Sequence, residues 1–454
     1  QDTPVSQRSY GLDGDVQVLK LDVNQDGIVD ANAGDRVWLF FGMRAGGEHY
    51  YALDVTDRND PRLLWSIGPD ELPGVGQTWS TPVITRVTVG TNGANNDDDE
   101  RFVLIFGGGY DTGQEVQQYS NDFVGNRIYM VDASSGDLLW YGGGAGTGTP
   151  SLALTKMTNS IPGRITVIDI DGDRFADRMY AADMGGRVWR FDIWNGNTAS
   201  SLVTGGVIAQ LGVGSNSPAP GNSANRRFYN APDVSLVQRR AEDPYYNIAI
   251  GSGYRGHPLD QVTQDRFYSI RDKTPYARFT QATYNARTPI VDGDLVDITA
   301  DPLNSTVTPL HDGWKLILSE QLVGGRDGEK VLAEATTVNN VILFTTFQPL
   351  PAGGADPCYP ANINRAYAVF VDTGKPALDF NDDGVVDNDD LSVDLSQSGI
   401  VGEISVALIR NGSDGGTTPP TEPPTVCVAG VEVLKKCVSA GGTIRTFWQR
   451  DVTD

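Results

Sequence analysis

The stretch N-R-I-Y-M-V-D-A-S-S-G-D-L-L-W, Asn126 to Trp140, decides the fold. It reads as a hairpin: an alternating aromatic and branched run that stops at an aspartate, a Ser-Ser-Gly turn, and an apolar run that ends in tryptophan. The first run recurs as H-Y-Y-A-L-D-V-T-D (49–57), G-R-V-W-R-F-D (186–192), D-R-F-Y-S-I-R-D (265–272) and N-R-A-Y-A-V-F-V-D-T-G (364–374). L-L-W returns at 63–65. Another element, an apolar strand closing on glycine, appears as V-W-L-F-F-G-M-R (37–44), F-V-L-I-F-G-G-G-Y-D (102–111) and N-I-A-I-G-S-G-Y-R (247–255).

Self-similarity with a period of tens of residues sets the architecture. The spacing predicts five units of four antiparallel strands, A to D, at about 15–68, 79–141, 150–211, 228–320 (with a long insertion) and 330–410. Radial repetition of such units makes the chain all-β, a modified β-propeller. The chain ends and 275–330 are available for one or two degenerate blades, and no long segment shows a 3.6-residue period. The propeller is expected over 1–410, a Pro/Thr/Gly linker over 411–425, and over 426–454 a tail that returns to the propeller as an extra strand pair.

The chain has 454 residues, a formal charge of −23 and a pI near 4.4. That excludes nucleic acid, whose binding needs a basic surface, and simple adsorption to anionic lipid. No 18-residue apolar run occurs, so no membrane insertion is expected. No signal peptide opens the sequence, and Gln1 reads as the start of a fragment. Of three cysteines, Cys427 and Cys437 are close enough in sequence to pair in an oxidising compartment, leaving Cys358 over. His49, His257 and His311 have no zinc spacing.

Three acidic segments share one pattern: D-V-N-Q-D-G-I-V-D (22–30), D-I-D-G-D-R-F-A-D (169–177) and D-F-N-D-D-G-V-V-D (379–387). Oxygen ligands at positions 1, 3, 5 and 9, with a backbone carbonyl at 7, form the first part of a Ca²⁺-binding loop of the EF-hand kind. The expected ligands are Asp22, Asn24, Asp26, the Ile28 carbonyl and Asp30 in the first loop. They are Asp169, Asp171, Asp173, the Phe175 carbonyl and Asp177 in the second, and Asp379, Asn381, Asp383, the Val385 carbonyl and Asp387 in the third. Clustered carboxylates repel, and a divalent ion neutralises them. Asp, Asn and Gly also favour tight turns, yet turns alone are a poor account of three loops in one register. Position 6 is Gly27 and Gly384 in two loops but Arg174 in the second; position 12 is Ala33, Tyr180 and Asp390 in turn. Asp390 would have to reach further than the usual Glu, or bind through water. The acidic stretch 90–100 lacks the register and reads as a solvated loop.

Other motifs are weaker. Gly251, Gly253 and Gly256 match G-x-G-x-x-G, but Pro258 follows where a phosphate-binding helix would begin. Trp65, Trp79, Trp140 and Trp189 fall at repeat positions and are expected to pack between blades. No G-x-S-x-G occurs, three scattered histidines support no catalytic triad, and no enzyme is expected.

T-W-S-T-P-V-I-T-R-V (78–87), F-G-G-G-Y-D (106–111), Asn126 to Trp140, D-I-D-G-D-R-F-A-D-R-M-Y-A-A-D-M-G-G-R-V-W-R-F-D (169–192) and I-G-S-G-Y-R-G-H-P-L-D (250–260) together resemble the C-terminal domain of the PilY-type type IV pilus biogenesis factors and tip adhesins. The likeness covers most of 35–410. It implies a propeller of seven blades, and export through the periplasm to the bacterial surface or pilus (the fimbrium). It implies partners among pilins and minor pilins, adhesion to surfaces or host-cell receptors, and a part in virulence. It also implies a Ca²⁺ site governing pilus extension and retraction, hence twitching motility; that site falls on Asp169, Asp171, Asp173, the Phe175 carbonyl and Asp177. Arg174 departs from the family's frequent glycine, and the adhesive Arg-Gly-Asp of some members is missing. The strands also resemble the repeats of quinoprotein dehydrogenases, which hold a Ca²⁺-bound pyrroloquinoline quinone. Many of those carry a vicinal cysteine pair, and none occurs here. A calcium-stabilised binding module of another surface system is the third reading.

Overall fold

In a computed structural model, residues 10–409 are described apart from 91–98, 117, 145, 147, 213–222, 241, 320, 323–324, 351–361 and 398, together with 425–429 and 437–438. Blade 1 is built from β1 (Gln17–Leu21), β2 (Arg36–Gly42), β3 (Tyr50–Asp54) and β4 (Arg62–Ile67). Blade 2 is β5 (Val83–Thr88), β6 (Glu100–Gly107), β7 (Arg127–Asp132), β8 (Leu138–Gly143) and β9 (Leu152–Ala153). Blade 3 begins with β10 (Thr166–Ile168), β11 (Arg178–Ala182), β12 (Arg187–Ile193) and β13 (Val203–Gln210). Blade 4 starts with β14 (Asp233–Val237), β15 (Tyr245–Gly251) and β16 (Arg266–Asp272). An insertion follows, carrying helix α1 (Gln281–Ala286), β17 (Ile290–Val291) and β18 (Val296–Asp297), before β19 (Gly313–Ile317) completes the blade. A small hairpin, β20 (Gln321–Leu322) and β21 (Gly325–Arg326), leads to blade 5: β22 (Thr336–Val338), β23 (Val341–Pro349), β24 (Asn362–Phe370) and β25 (Ser392–Leu395).

The four main strands of each blade form an antiparallel meander in sequence order, and each blade packs on its neighbours in the chain. The cause is period-two patterning. In β7, Ile128 and Met130 enter a core shared with blade 3, while Tyr129 and Val131 enter one shared with blade 1. In β15, Ile248 and Ile250 face blade 3 and Ala249 faces blade 5. A strand buried on both faces therefore loses the usual polar alternation and reads as an unbroken apolar run. Tryptophans lock the joints: Trp140 and Trp189 are 1% exposed, and Trp65 Nε1 donates to the Ala133 carbonyl of the next blade at 3.0 Å. Phe344 of blade 5 stacks between Phe267 of blade 4 (3.8 Å) and Tyr367 (4.6 Å).

The structure corrects the four-stranded expectation in three blades. β9, β17 and β18 add a fifth strand of two residues each, and each pairs in parallel. Among the described residues, 275–330 form no degenerate blade. Their first part is a strap that leaves blade 4, lays α1 and β17 on blade 3, and returns. Five blade-sized sheets are present among the described residues, where the resemblance implies seven. A further three-stranded sheet joins β26 (Ser405–Ile409), β27 (Thr425–Ala429) and β28 (Cys437–Val438), with Cys427 and Cys437 opposite one another in register. Cys358 and most of the expected linker lie outside the described residues.

Buried charge fastens the strap. Asp192 accepts from Arg178 Nε (2.8 Å), Arg190 Nη2, the Phe279 N–H (2.8 Å) and the Tyr284 hydroxyl (2.8 Å). Asp272 accepts from Arg190 Nη1 (2.8 Å) and the Tyr180 hydroxyl (2.7 Å). The Ala277 carbonyl takes Arg178 Nη2 at 2.6 Å and also Arg190 Nη2. The side chains of Arg178, Arg190, Asp192 and Asp272 are 0–2% exposed. Removing one member of a buried set leaves an uncompensated charge, so Asp192→Ala should cost about 3–5 kcal/mol in urea unfolding. A loss below about 1 kcal/mol would mean that the strap is held by something else.

Candidate metal centre

The three acidic loops adopt one backbone form. Positions 4 and 6 have positive φ in each: Gln25 and Gly27, Gly172 and Arg174, Asp382 and Gly384. The loops also share three hydrogen bonds. The position-1 carboxylate accepts from the N–H of position 6: Asp22 from Gly27 (2.8 Å), Asp169 from Arg174 (2.8 Å), Asp379 from Gly384 (3.0 Å). Position 3 accepts from the N–H of position 5, and position 5 from that of position 7. These bonds curl the backbone around its own side-chain oxygens, which is why the spacing matters more than the residue at position 6. Arg174 takes the left-handed conformation, φ +77°, at a position where the other two loops have glycine.

The loops differ in how they close. In the first, Asp35 is buried and accepts from the Val23 N–H (2.9 Å) and the Asp30 N–H (2.8 Å). Those backbone bonds, Asp30's first, hold its carboxyl below the ordinary value. In the third, Asp390 does the same job, accepting from Phe380 (2.7 Å), Asn381 (3.2 Å) and Asp387 (3.1 Å). Asp390 is thus a buried clamp for loop amides rather than a position-12 ligand reaching outward. With a separate clamp present, Asp30 and Asp387 turn to cap short 3₁₀ turns, accepting from Asn32 (2.8 Å) and Asp389 (2.9 Å).

Among the described residues, the second loop has no separate clamp. Asp177 closes it, with Oδ2 accepting from the Ile170 N–H at 2.8 Å. Its position-9 carboxylate therefore points into the loop. Asp169, Asp171 and Asp177 each bring an oxygen within 4.8 Å of the others, the only such acidic trio among the described residues. Asp173 is not in it; its Oδ1 accepts from the Phe175 N–H at 2.8 Å, and the Phe175 ring lies under Arg86. The loop joins β10 to β11, and its end is stitched to blade 2 by the Ala176 N–H, which donates to the Arg86 carbonyl at 2.8 Å. In the first loop, Asp22 Oδ1 is buried without a hydrogen-bond partner, and Lys20 Nζ lies 3.8 Å from Asp22 Oδ2.

Three converging carboxylate oxygens are the donor chemistry of a hard divalent cation such as Ca²⁺. The electrostatics of the loop point the same way. Burial pushes the Asp177 carboxyl up; the Ile170 N–H and Arg278 pull it down, and Asp171 and Asp169 push it up again, leaving it above the ordinary value. Asp173 is also raised, by desolvation first and then by Asp171, Asp169 and Asp177. Without a cation, the preference of these two groups for the protonated form favours folding at low pH, and that contribution is lost as pH rises through their raised folded values. A bound cation reverses the balance. The thermal stabilisation given by Ca²⁺ should therefore be larger at neutral pH than at about pH 4, and equal gains at both would contradict the site.

Sequence reasoning placed all three loops but missed Asp35 and Arg278, which come from outside the nine-residue pattern. Arg278, on the strap, pairs with Asp177 Oδ1. The glycine run at 251–256 holds no phosphate cradle. A Cβ on Gly251 would lie 2.3 Å from the Val331 side chain, and one on Gly253 2.1 Å from the Val331 carbonyl, so these glycines serve blade packing.

A family profile described as the PilY1 beta-propeller domain matches residues 6–204. The type IV pilus biogenesis factor PilY1 of Pseudomonas aeruginosa PAO1 is 25% identical over 395 residues, covering 77% of this chain and 30% of that protein. A PilY1 homolog of Xylella fastidiosa is 25% identical over 352 residues, covering 74% of this chain and 22% of that protein. The chain thus spans about a third or less of the length of these relatives. The crystal structure of the Pseudomonas aeruginosa PilY1 C-terminal domain superposes with a TM-score of 0.59 at 19% identity, covering 94% of this chain and 84% of that one.

Proposed function

We propose that this chain, which belongs to the PilY-type proteins, serves a type IV pilus as a calcium-responsive propeller. The observation that carries the reading is the convergence of Asp169, Asp171 and Asp177 in a hairpin loop of a propeller matched to that family. Those three residues would hold the ion, which supplies the positive charge that the loop lacks. The chain's own part is to fix the donors. Backbone N–H groups aim Asp169 and Asp177, and the stitching to blade 2 keeps the loop's end rigid.

In this reading the propeller meets pilins and minor pilins at the cell surface, contributes to adhesion, and sets the balance of pilus extension and retraction. The loops at 22–30 and 379–387 are additional, weaker cation sites, because their ninth carboxylates cap local turns. The relatives are named as pilus biogenesis factors rather than enzymes, which supports a role without catalysis.

Asp171 is exposed and carries no strand or core, so it is the variant of choice. Asp171→Ala, which removes the position-3 oxygen, should weaken Ca²⁺ binding at this loop about tenfold or more, leave the cation-free protein folded, and alter twitching when placed in the full-length protein. Calcium titration calorimetry that shows wild-type affinity in the variant would overturn the assignment. Reduction of a dye by the protein with pyrroloquinoline quinone and an alcohol would favour the dehydrogenase reading instead.

A further inference from the structure

Arg278 stands against the candidate site as a tethered cation. Asp177 is 2% exposed at its side chain, and its two oxygens are both engaged: Oδ2 by the Ile170 N–H and Oδ1 by the Arg278 guanidinium. Among the described residues, Arg278 is the one cationic side chain paired with a carboxylate of this loop. It does not belong to blade 3. It arrives on the strap from blade 4, and its position there is fixed on both sides. The Ala277 carbonyl before it is bonded to Arg178 and Arg190, and the Phe279 N–H after it to Asp192. The guanidinium itself is a third exposed and lies 5.8 Å from the centre of the Trp194 ring.

A divalent ion held by Asp169, Asp171 and Asp177 would sit within a few ångströms of that guanidinium, and two positive charges so close repel strongly at the protein surface. The ion and Arg278 thus compete for one carboxylate. We propose that Arg278 is an internal counter-ion that the cation displaces from Asp177, so that occupancy of a blade 3 loop changes the surface of the strap that comes from blade 4. This rests on the cation site proposed above. The network of Arg178, Arg190, Asp192 and Asp272 stays in place on either side of the exchange, because its ion pairs are made within the network and not with the loop carboxylates. The moving part is the Arg278 side chain and the strap surface around it. A partner that reads the cation state would therefore meet the surface where blades 3 and 4 join.

The test uses three forms of the protein titrated with Ca²⁺ by calorimetry at low salt: wild type, Arg278→Gln and Lys273→Gln. Lys273 lies on the same strap but pairs with Asp312, so it controls for the loss of one positive charge. Arg278→Gln should bind about tenfold tighter or more, with the gap closing as salt is raised, and Lys273→Gln should bind as wild type. Arg278→Lys, which keeps the charge, should stay near wild-type affinity and guards against a packing artefact. Ca²⁺ should also change Trp194 fluorescence in the wild type, and the change should be absent in Trp194→Phe and reduced in Arg278→Gln. If the wild type binds Ca²⁺ at this loop but Arg278→Gln has the same affinity, the counter-ion role is overturned while the site stands. If the wild type binds no Ca²⁺ that Asp171→Ala removes, the site itself fails and the exchange with it.

Discussion

The direction of one carboxylate separates the three loops. All of them wrap the backbone around side-chain oxygens in the same way, with the same three hydrogen bonds and the same two left-handed residues. What differs is who closes the loop. Where Asp35 or Asp390 is present to bind the loop amides, the ninth carboxylate is released outward to cap a turn. Where no such residue exists, Asp177 must close the loop itself, and the bond to the Ile170 N–H turns it inward. A three-oxygen cluster follows, and so does its repulsion.

That repulsion links the loop to the rest of the propeller. Burial and neighbouring carboxylates raise the Asp177 carboxyl, and the positive charge that opposes them comes from another blade. The strap carrying it is held by Asp192 and Asp272, whose own compensation by Arg178 and Arg190 is buried between blades 3 and 4. Local loop chemistry, an interblade joint and a candidate control point are thus parts of one electrostatic arrangement. The propeller frame makes this possible, because a blade packs mainly on its two neighbours and a connection between blades spans a short distance.

Much of the frame was legible in the sequence because it is periodic. The D-R-F-Y-S-I-R-D and N-R-I-Y-M-V-D runs were readable as third strands, since period-two burial on both faces leaves an apolar pattern. The loop register at 1, 3, 5 and 9 was readable for the same reason: its hydrogen bonds are local. The added strands β9, β17 and β18 were not, being two residues long and paired through tertiary contact. Asp35 lies at position 14 of its loop and Arg278 about a hundred residues from Asp177, so no local spacing announces either. Position 6 of the second loop is not glycine, yet Arg174 adopts the conformation that the register demands.

If the inward turn of Asp177 is what makes a cation site, loop 169–177 is the strongest of the three. Anomalous diffraction from crystals soaked in Tb³⁺, a Ca²⁺ substitute with a strong signal, tests this most directly. The highest peak is predicted among Asp169, Asp171 and Asp177. A highest peak at 22–30 or 379–387, or none at 169–177, would contradict it.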